Sequence, residues 1–261
     1  MTSLPRRYGS IDVNLDAGER PEAVADRSEE ALLALVSSVN IACGGHAGDE
    51  AAMAATLASA HRLGVACGAH PGYPDRLGFG RTSLAITPGE IAATVEAQVR
   101  ALDRIAGRLG VQLTHVKPHG ALYNDAACNV TVAVAVARGA APWSGRVRLV
   151  GLAGAPCLEV YRQAGFAVLA EAFAERRYEP DGTLRLRRYP DAVLHDPEEA
   201  AAQAVGIALD GEVKAVNGCQ MRLRADTLCI HSDSPGALAV AKAVREALAS
   251  AGIIVAAPGA P

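Results

Sequence analysis

The stretch His115-Val116-Lys117-Pro118-His119-Gly120 places two imidazoles and one ammonium at alternate positions. In an extended chain alternate side chains share a face. His115, Lys117 and His119 would then point one way, and Val116 and Pro118 the other. Pro118 has no N–H to give to a ladder, so it suits a strand end, and Gly120 lets the backbone turn. Polar groups buried without partners cost free energy, so such a cluster is expensive as packing alone. Its chemistry would be proton transfer, anion stabilisation or metal ligation.

The same arrangement recurs along the chain. Ile11 to Asp16 alternates without a break, with Asp12, Asn14 and Asp16 on one face and Ile11, Val13 and Leu15 on the other. Val39 to Ala42, which includes Asn40, reads as a second strand running into Cys43-Gly44-Gly45-His46-Ala47-Gly48-Asp49. Glycines there permit a tight turn and a close backbone approach, and a helix N-terminus after such a turn suits an anion. It is not a Walker A sequence, because no Gly-Lys-Ser/Thr follows. Val65 to Ala69 ends at His70. Phe166 to Ala170 ends at Glu171, and Leu228 to His231 is followed by Asp233. Two long loops, 71–81 and 174–189, carry Tyr73, Arg76, Phe79 and Arg81, and then Arg176, Arg177 and Arg185 to Arg188. The residues of the first loop are the means to cover a substrate and to pair with a carboxylate.

Helices fall between the strands. Ser28 is the expected N-cap of a helix to Val36, Asp49 of one over 50–63, and Asp196 of one over 197–209. Pro88 and Glu90 open a helix to about Leu109. Apolar helices are also expected over 129–138, 156–164 and 235–251. Glu212 to Leu223 reads as a hairpin with Asn217-Gly218 as its two-residue turn. Met1 to Tyr8 reads as a flexible lead.

The 261 residues are half hydrophobic and poor in aromatics, so the core must be aliphatic. The net charge is −3, and the run Arg185 to Arg188 is too short to argue for nucleic acid. No apolar run is long enough to span a bilayer, and no signal peptide is evident. Six scattered cysteines without a CxxC pair favour reduced thiols in the cytoplasm. About seven β-α units point to a parallel sheet. With no long linker, a closed α/β barrel over 1–261 is the expected domain. Chemistry in such barrels collects at the C-terminal strand ends, where Asp16, His46, His70, Lys117, His119, Glu171, His231 and Asp233 stand. Their recurrence favours an enzyme over a binding module.

Val13-Asn14-Leu15-Asp16-Ala17-Gly18-Glu19, Asn40 to Asp49, Gly68-Ala69-His70-Pro71-Gly72-Tyr73-Pro74-Asp75, Gly78-Phe79-Gly80-Arg81 and His115 to Asn124 resemble the LamB/YcsF family. So do Glu171 to Arg176, Tyr178 to Gly182 and Cys229-Ile230-His231. The resemblance runs from about Ile11 to Ile253. This chain departs from it at Leu15, Ala17, Gly45 and Ser232, where the family has Cys, Leu, an aromatic and Gly. Gly45 is expected to leave a pocket wall empty. The resemblance implies a seven-stranded (β/α) barrel similar to those of glycoside hydrolases and polysaccharide deacetylases. It also implies ATP-dependent opening of 5-oxo-L-proline to L-glutamate, with magnesium, together with B and C subunits. Homo-oligomers are compatible with it.

For that reaction the site needs cations at a phosphoryl group, a base for water and a cation for the substrate carboxylate. Lys117 is assigned to phosphate or oxyanion stabilisation. Asp16 or Glu171 is the base, and His119 or His70 the proton shuttle. Arg81 or Arg177 holds the carboxylate. His46 with the turn at Gly44 receives phosphate, and Asn14, Asn40, Tyr73, His231 and Asp233 complete the binding set. Asp16, His46, His70 and His231 form the alternative set for a divalent metal. Two rival functions are a metal-dependent amidohydrolase or deacetylase that needs no ATP, and a non-catalytic substrate-binding subunit.

Overall fold

The computed structural model describes residues 9–233 and 236–258; the expected lead over Met1 to Tyr8 and the expected helix start at Pro235 lie outside them. Ten strands are present among the described residues: β1 Ser10–Ala17, β2 Ser38–Ala42, β3 Ala66–His70, β4 Leu113–Val116, β5 Arg148–Leu152, β6 Val168–Phe173, β7 Glu212–Lys214, β8 Gln220–Arg222, β9 Thr227–His231 and β10 Ile254–Val255. Strands β1 to β6 pair in parallel in sequence order, β6 pairs with β9, and β9 pairs back to β1. The expected seven-stranded barrel is therefore closed. Short β10 adds to the start of β1 through Ser10↔Ile254 and Ile11↔Val255. Among the described residues no helix is long and apolar enough to cross a membrane.

Alternation in β1 sorts its residues between two buried environments. Ile11, Val13 and Leu15 join the aliphatic core with Ile41, Leu57, Leu102 and Leu149. Asp12, Asn14 and Asp16 are also buried, so this polar face is not wetted. Their hydrogen bonds reach across the barrel to Asn40, Glu171 and Thr227. Burial without such partners would cost several kcal/mol per group, roughly 2–7.

Caps follow the local sequence. Asp49 accepts from the Ala52 N–H at the start of Glu50–Arg62, and Asp196 from the Glu198 N–H at the start of Pro197–Asp210. Ser28 caps nothing: two short helices, Pro21–Ala25 and Glu30–Leu33, replace the one expected there. The fourth strand ends at Val116, earlier than the alternation suggests. Lys117 to His119 then lead into a helix, Gly120–Cys128, that the apolar pattern did not reveal. The sixth strand begins at Val168 and continues to Phe173, which brings Glu171 inside the strand and not to its end. The hairpin of β7 and β8 turns through three residues: Ala215 N–H donates to the Cys219 carbonyl, and Gly218 sits at φ 86°. A left-handed third residue is what a three-residue hairpin loop requires.

Candidate active site

A cavity of about 170 Å³ opens at the C-terminal ends of the barrel strands. Asp16, Glu19, His70, Arg81, Lys117, His119, Arg176, Arg187, His231 and Asp233 contribute to its lining. Lys117 forms its floor. The ammonium lies 2.9 Å from Asp16 Oδ1, 2.9 Å from Glu171 Oε1 and 3.1 Å from Cys229 Sγ. Burial opposes that charge, but Asp16, Cys229 and Glu171 overrule it and hold the lysine pKa well above its usual value. Burial likewise opposes ionisation of Asp16; His70, when that ring is protonated, and the Lys117 ammonium pull its pKa well below the carboxylate range.

Beneath the floor runs a hydrogen-bonded network. Asn14 Nδ2 donates to Glu171 Oε1 at 2.9 Å and to Thr227 Oγ1 at 2.7 Å. Asn40 Nδ2 donates to Asn14 Oδ1 and Asp16 Oδ1, and His115 Nε2 donates to Asn40 Oδ1. Asn14, Asn40 and Glu171 thus lie under the cavity and do not line it. Glu171 is fully buried against Lys117, so of the two carboxylates assigned as the base only Asp16 faces the cavity.

Other expected site residues stand elsewhere. His46 is buried behind His119, its ring stacked at 3.5 Å. The turn at Gly44 does not reach the cavity. Arg76 Nη1 donates to the Gly44 and Gly48 carbonyls, and Asp49 already occupies the following helix N-terminus. Tyr73 is buried, and its hydroxyl donates to Asp125 Oδ2. Arg177 points away from the cavity toward Glu199, 3.8 Å off. Arg81 does line the cavity, paired with Asp233 and lying over the Phe79 ring. His231 stacks on Phe173 and pairs through Nδ1 with Glu175. Gly45 leaves no empty wall: the amide of Gln98, bonded to both backbone groups of Gly72, fills the space, and a Cβ on Gly45 would lie 2.3 Å from Gln98 Oε1.

The sequence reading passed over Glu19, Glu175, Arg176 and Arg187. Glu19 stands three residues beyond Asp16, within the motif already singled out. Arg187 belongs to a basic run weighed only for nucleic acid; among the described residues it has no ion pair. Four groups, Glu19, His46, His70 and His119, bring ligand-type atoms within 4.8 Å of one another, and Asp16, Cys229 and His231 form a second such group. The metal set expected from sequence is therefore divided between two clusters.

Buried imidazoles and one buried carboxyl shape the response of stability to acid. Burial pulls His115 down to about 3 and His46 to about 4, and pushes Glu29 up to about 7. Below about pH 6.5 the unfolded chain binds protons at both histidines that the fold does not, so stability falls with pH. Between about pH 4.5 and 7 Glu29 opposes this, because the fold retains a proton that the unfolded chain releases. Burial lowers His119 as well, so the histidines outweigh Glu29 by at least about one proton, or about 1.4 kcal/mol per pH unit. The melting temperature should fall from pH 6.5 to 5, and fall more steeply in Glu29→Gln. Equal slopes in the two proteins would remove Glu29 from this account.

A sequence model of the LamB/YcsF family matches residues 11–260. The A subunit of the 5-oxoprolinase from Chloroflexus aggregans is 53% identical over 249 residues, which cover 95% of this chain and 99% of that one. The corresponding 5-oxoprolinase A subunit of Methylococcus capsulatus is 47% identical over 250 residues, 96% of each. The crystal structure of a lactam utilization protein from Thermus thermophilus superposes with a TM-score of 0.88 at 44% identity, covering 95% of this chain and 99% of that one.

Proposed function

The chain belongs to the LamB/YcsF family, and on that premise we propose that it is the A subunit of a 5-oxoprolinase, opening 5-oxo-L-proline to L-glutamate with ATP in a complex with B and C subunits. The observation that carries this reading is the small polar cavity floored by the Lys117 ammonium, with Asp16 beside it. Its volume is below the several hundred Å³ common for drug-sized ligands. It suits a five-membered lactam and a phosphoryl group, not a whole nucleotide. The rest of an ATP molecule would extend along the adjoining groove, which shares Asn124, Leu184 and Leu186 with the cavity, or onto a partner protein. Magnesium would arrive with the nucleotide. The six free thiols fit a cytoplasmic setting.

A lactam carbonyl is a poor electrophile. Transfer of the γ-phosphoryl group to its oxygen releases ADP and activates the ring carbon. Water adds there as a base takes its proton. The ring C–N bond then breaks with a proton delivered to nitrogen, leaving an acyl phosphate. A second water converts that to glutamate and phosphate. Lys117 stabilises the charge of the transferring phosphoryl group, and Asp16 is the base. Arg81 or Arg187 takes the substrate carboxylate.

The test is 5-oxoproline-dependent ATP hydrolysis with glutamate detection, on the chain alone and with B and C subunits. Turnover only in the mixture is expected. Hydrolysis of 5-oxoproline by the chain alone without ATP would instead establish the metal-dependent amidohydrolase reading, which the cluster around Glu19 favours. Lack of turnover in both, beside an active control complex, would reject 5-oxoproline as the substrate.

A further inference from the structure

Three electron-rich atoms, His70 Nε2, His119 Nδ1 and Glu19 Oε1, converge at the cavity, with a second carboxylate oxygen, Asp16 Oδ2, 3.4 Å from His70 Nε2. His70 Nδ1 lies 2.8 Å from the Lys117 carbonyl oxygen. A carbonyl only accepts, so Nδ1 carries the proton and a neutral His70 turns a lone pair outward at Nε2. His119 Nε2 lies 2.9 Å from the Phe79 carbonyl oxygen, which by the same reasoning leaves a lone pair at Nδ1. Those two nitrogens face each other at 3.0 Å, with the rings at 90°. Glu19 Oε1 stands 3.3 Å from His119 Nδ1 and 3.9 Å from His70 Nε2. Two lone pairs and an anion at these distances repel unless a cation sits among them. Ligands about 2.0–2.2 Å from one ion lie roughly 3.0–3.6 Å apart, close to the spacing here.

His46 completes the surroundings without being a ligand. Its ring is parallel to that of His119, so an ion between the two would lie out of both ring planes. Its Nε2 is 3.1 Å from Glu19 Oε1 and donates to that carboxylate. The protons on His70 and His119 are likewise fixed by backbone carbonyls, which is how metal-bound histidines are usually oriented. The Phe79 carbonyl is presented from a left-handed backbone, φ 54°, an uncommon conformation for a side chain of that size. Gly72 and Gly80 press on the same rings: a Cβ on Gly72 would come within 2.9 Å of His46 Nδ1, and one on Gly80 within 3.0 Å of His119 Cδ2.

We propose that Glu19, His70 and His119 bind one divalent first-row transition-metal ion, zinc or a near neighbour. Two imidazoles and a carboxylate are a common donor set for such ions. All three residues line the cavity, so the remaining coordination positions open toward substrate. The second cluster is a poorer site, because the Lys117 ammonium already contacts both Asp16 and Cys229 and would repel a second cation. This assignment is independent of the 5-oxoproline reading.

Titration of the chelator-treated full-length chain with cobalt(II), followed by its visible absorption, tests the site. Saturation at one equivalent and displacement by zinc are expected. Glu19→Gln and His119→Ala should each weaken binding at least ~100-fold, and His46→Phe by about 10–100-fold. Cys229→Ser should bind as the unaltered protein does. Circular dichroism identifies any variant that fails to fold. Should a variant do so, the ring-nitrogen resonances of the unaltered protein with zinc decide. Coordinated signals for His70 Nε2 and His119 Nδ1 support the proposal, and a persisting imidazolium at either ring overturns it. No saturable cobalt binding, or binding lost in Cys229→Ser but retained in Glu19→Gln, also overturns it.

Discussion

Lys117→Met should abolish turnover of the reconstituted complex and destabilise the chain by about 3–5 kcal/mol, the range for breaking a buried ion pair from one side. The methionine fills most of the volume but leaves Asp16 and Glu171 facing each other through the barrel without the ammonium that both contact at 2.9 Å. Glu171 cannot turn to water, because it is fully buried, and Asp16 reaches only the small cavity. Loss of the oxyanion-stabilising charge alone should cost about 10²–10³ in rate. The structural and chemical parts separate in Lys117→Met/Glu171→Gln. Removing the facing charge should return part of the lost stability, with a coupling of about 1–3 kcal/mol in a thermal double-mutant cycle. Turnover should stay as low as in Lys117→Met. Recovery of activity with stability would make Lys117 a structural cation, and the assignment to phosphate or oxyanion stabilisation would fall.

How far the sequence disclosed this arrangement follows from what periodicity can report. Alternation at Ile11 to Asp16 was enough to place Asp12, Asn14 and Asp16 on one face. It could not say that the face was buried, because a solvated strand and a polar barrel interior have the same pattern. The barrel itself was legible, since each βα unit repeats locally and closure needs only that β9 return to β1. Arg81 and Arg177 were equivalent on paper, each a cation in a long loop. Only the folded chain separates them, by turning Arg81 to the cavity and Arg177 to Glu199. Glu171 read as a strand end because Phe166 and Ala167 are as apolar as the residues that do pair. Its true register, opposite Leu152 and Thr227, is set by neighbouring strands. The wall expected to be empty at Gly45 is filled by Gln98, 53 positions along the chain, a contact no local pattern carries.

Asp16→Asn is the second substitution with a large expected effect, and it bears on how a carboxylate with so low a pKa can act as a base. The change is isosteric. Asn keeps an oxygen to accept from Lys117 and Asn40, at the positions now 2.9 and 2.8 Å from Asp16 Oδ1. The backbone is held besides, since Ser232 Oγ donates to the Asp16 carbonyl at 2.7 Å. The fold should therefore survive with a loss of about 1.5–3 kcal/mol, the worth of a hydrogen bond to a charged group. The rate should fall by about 10²–10⁴, the range for removing a general base, with little change in KM. In the resting site the Lys117 ammonium holds Asp16 ionised and weakly basic. As the phosphoryl group arrives on the substrate oxygen, the ammonium turns part of its interaction to the phosphoryl oxygens and releases its hold on the carboxylate. Asp16 then becomes more basic at the moment water must lose a proton. Lys117 and Asp16 act as one unit on this account, so their losses cannot add. The double variant Lys117→Met/Asp16→Asn should be about as slow as the slower single variant. Rates that multiply would show two independent contributions, and the base would then have to be sought among the other groups lining the cavity.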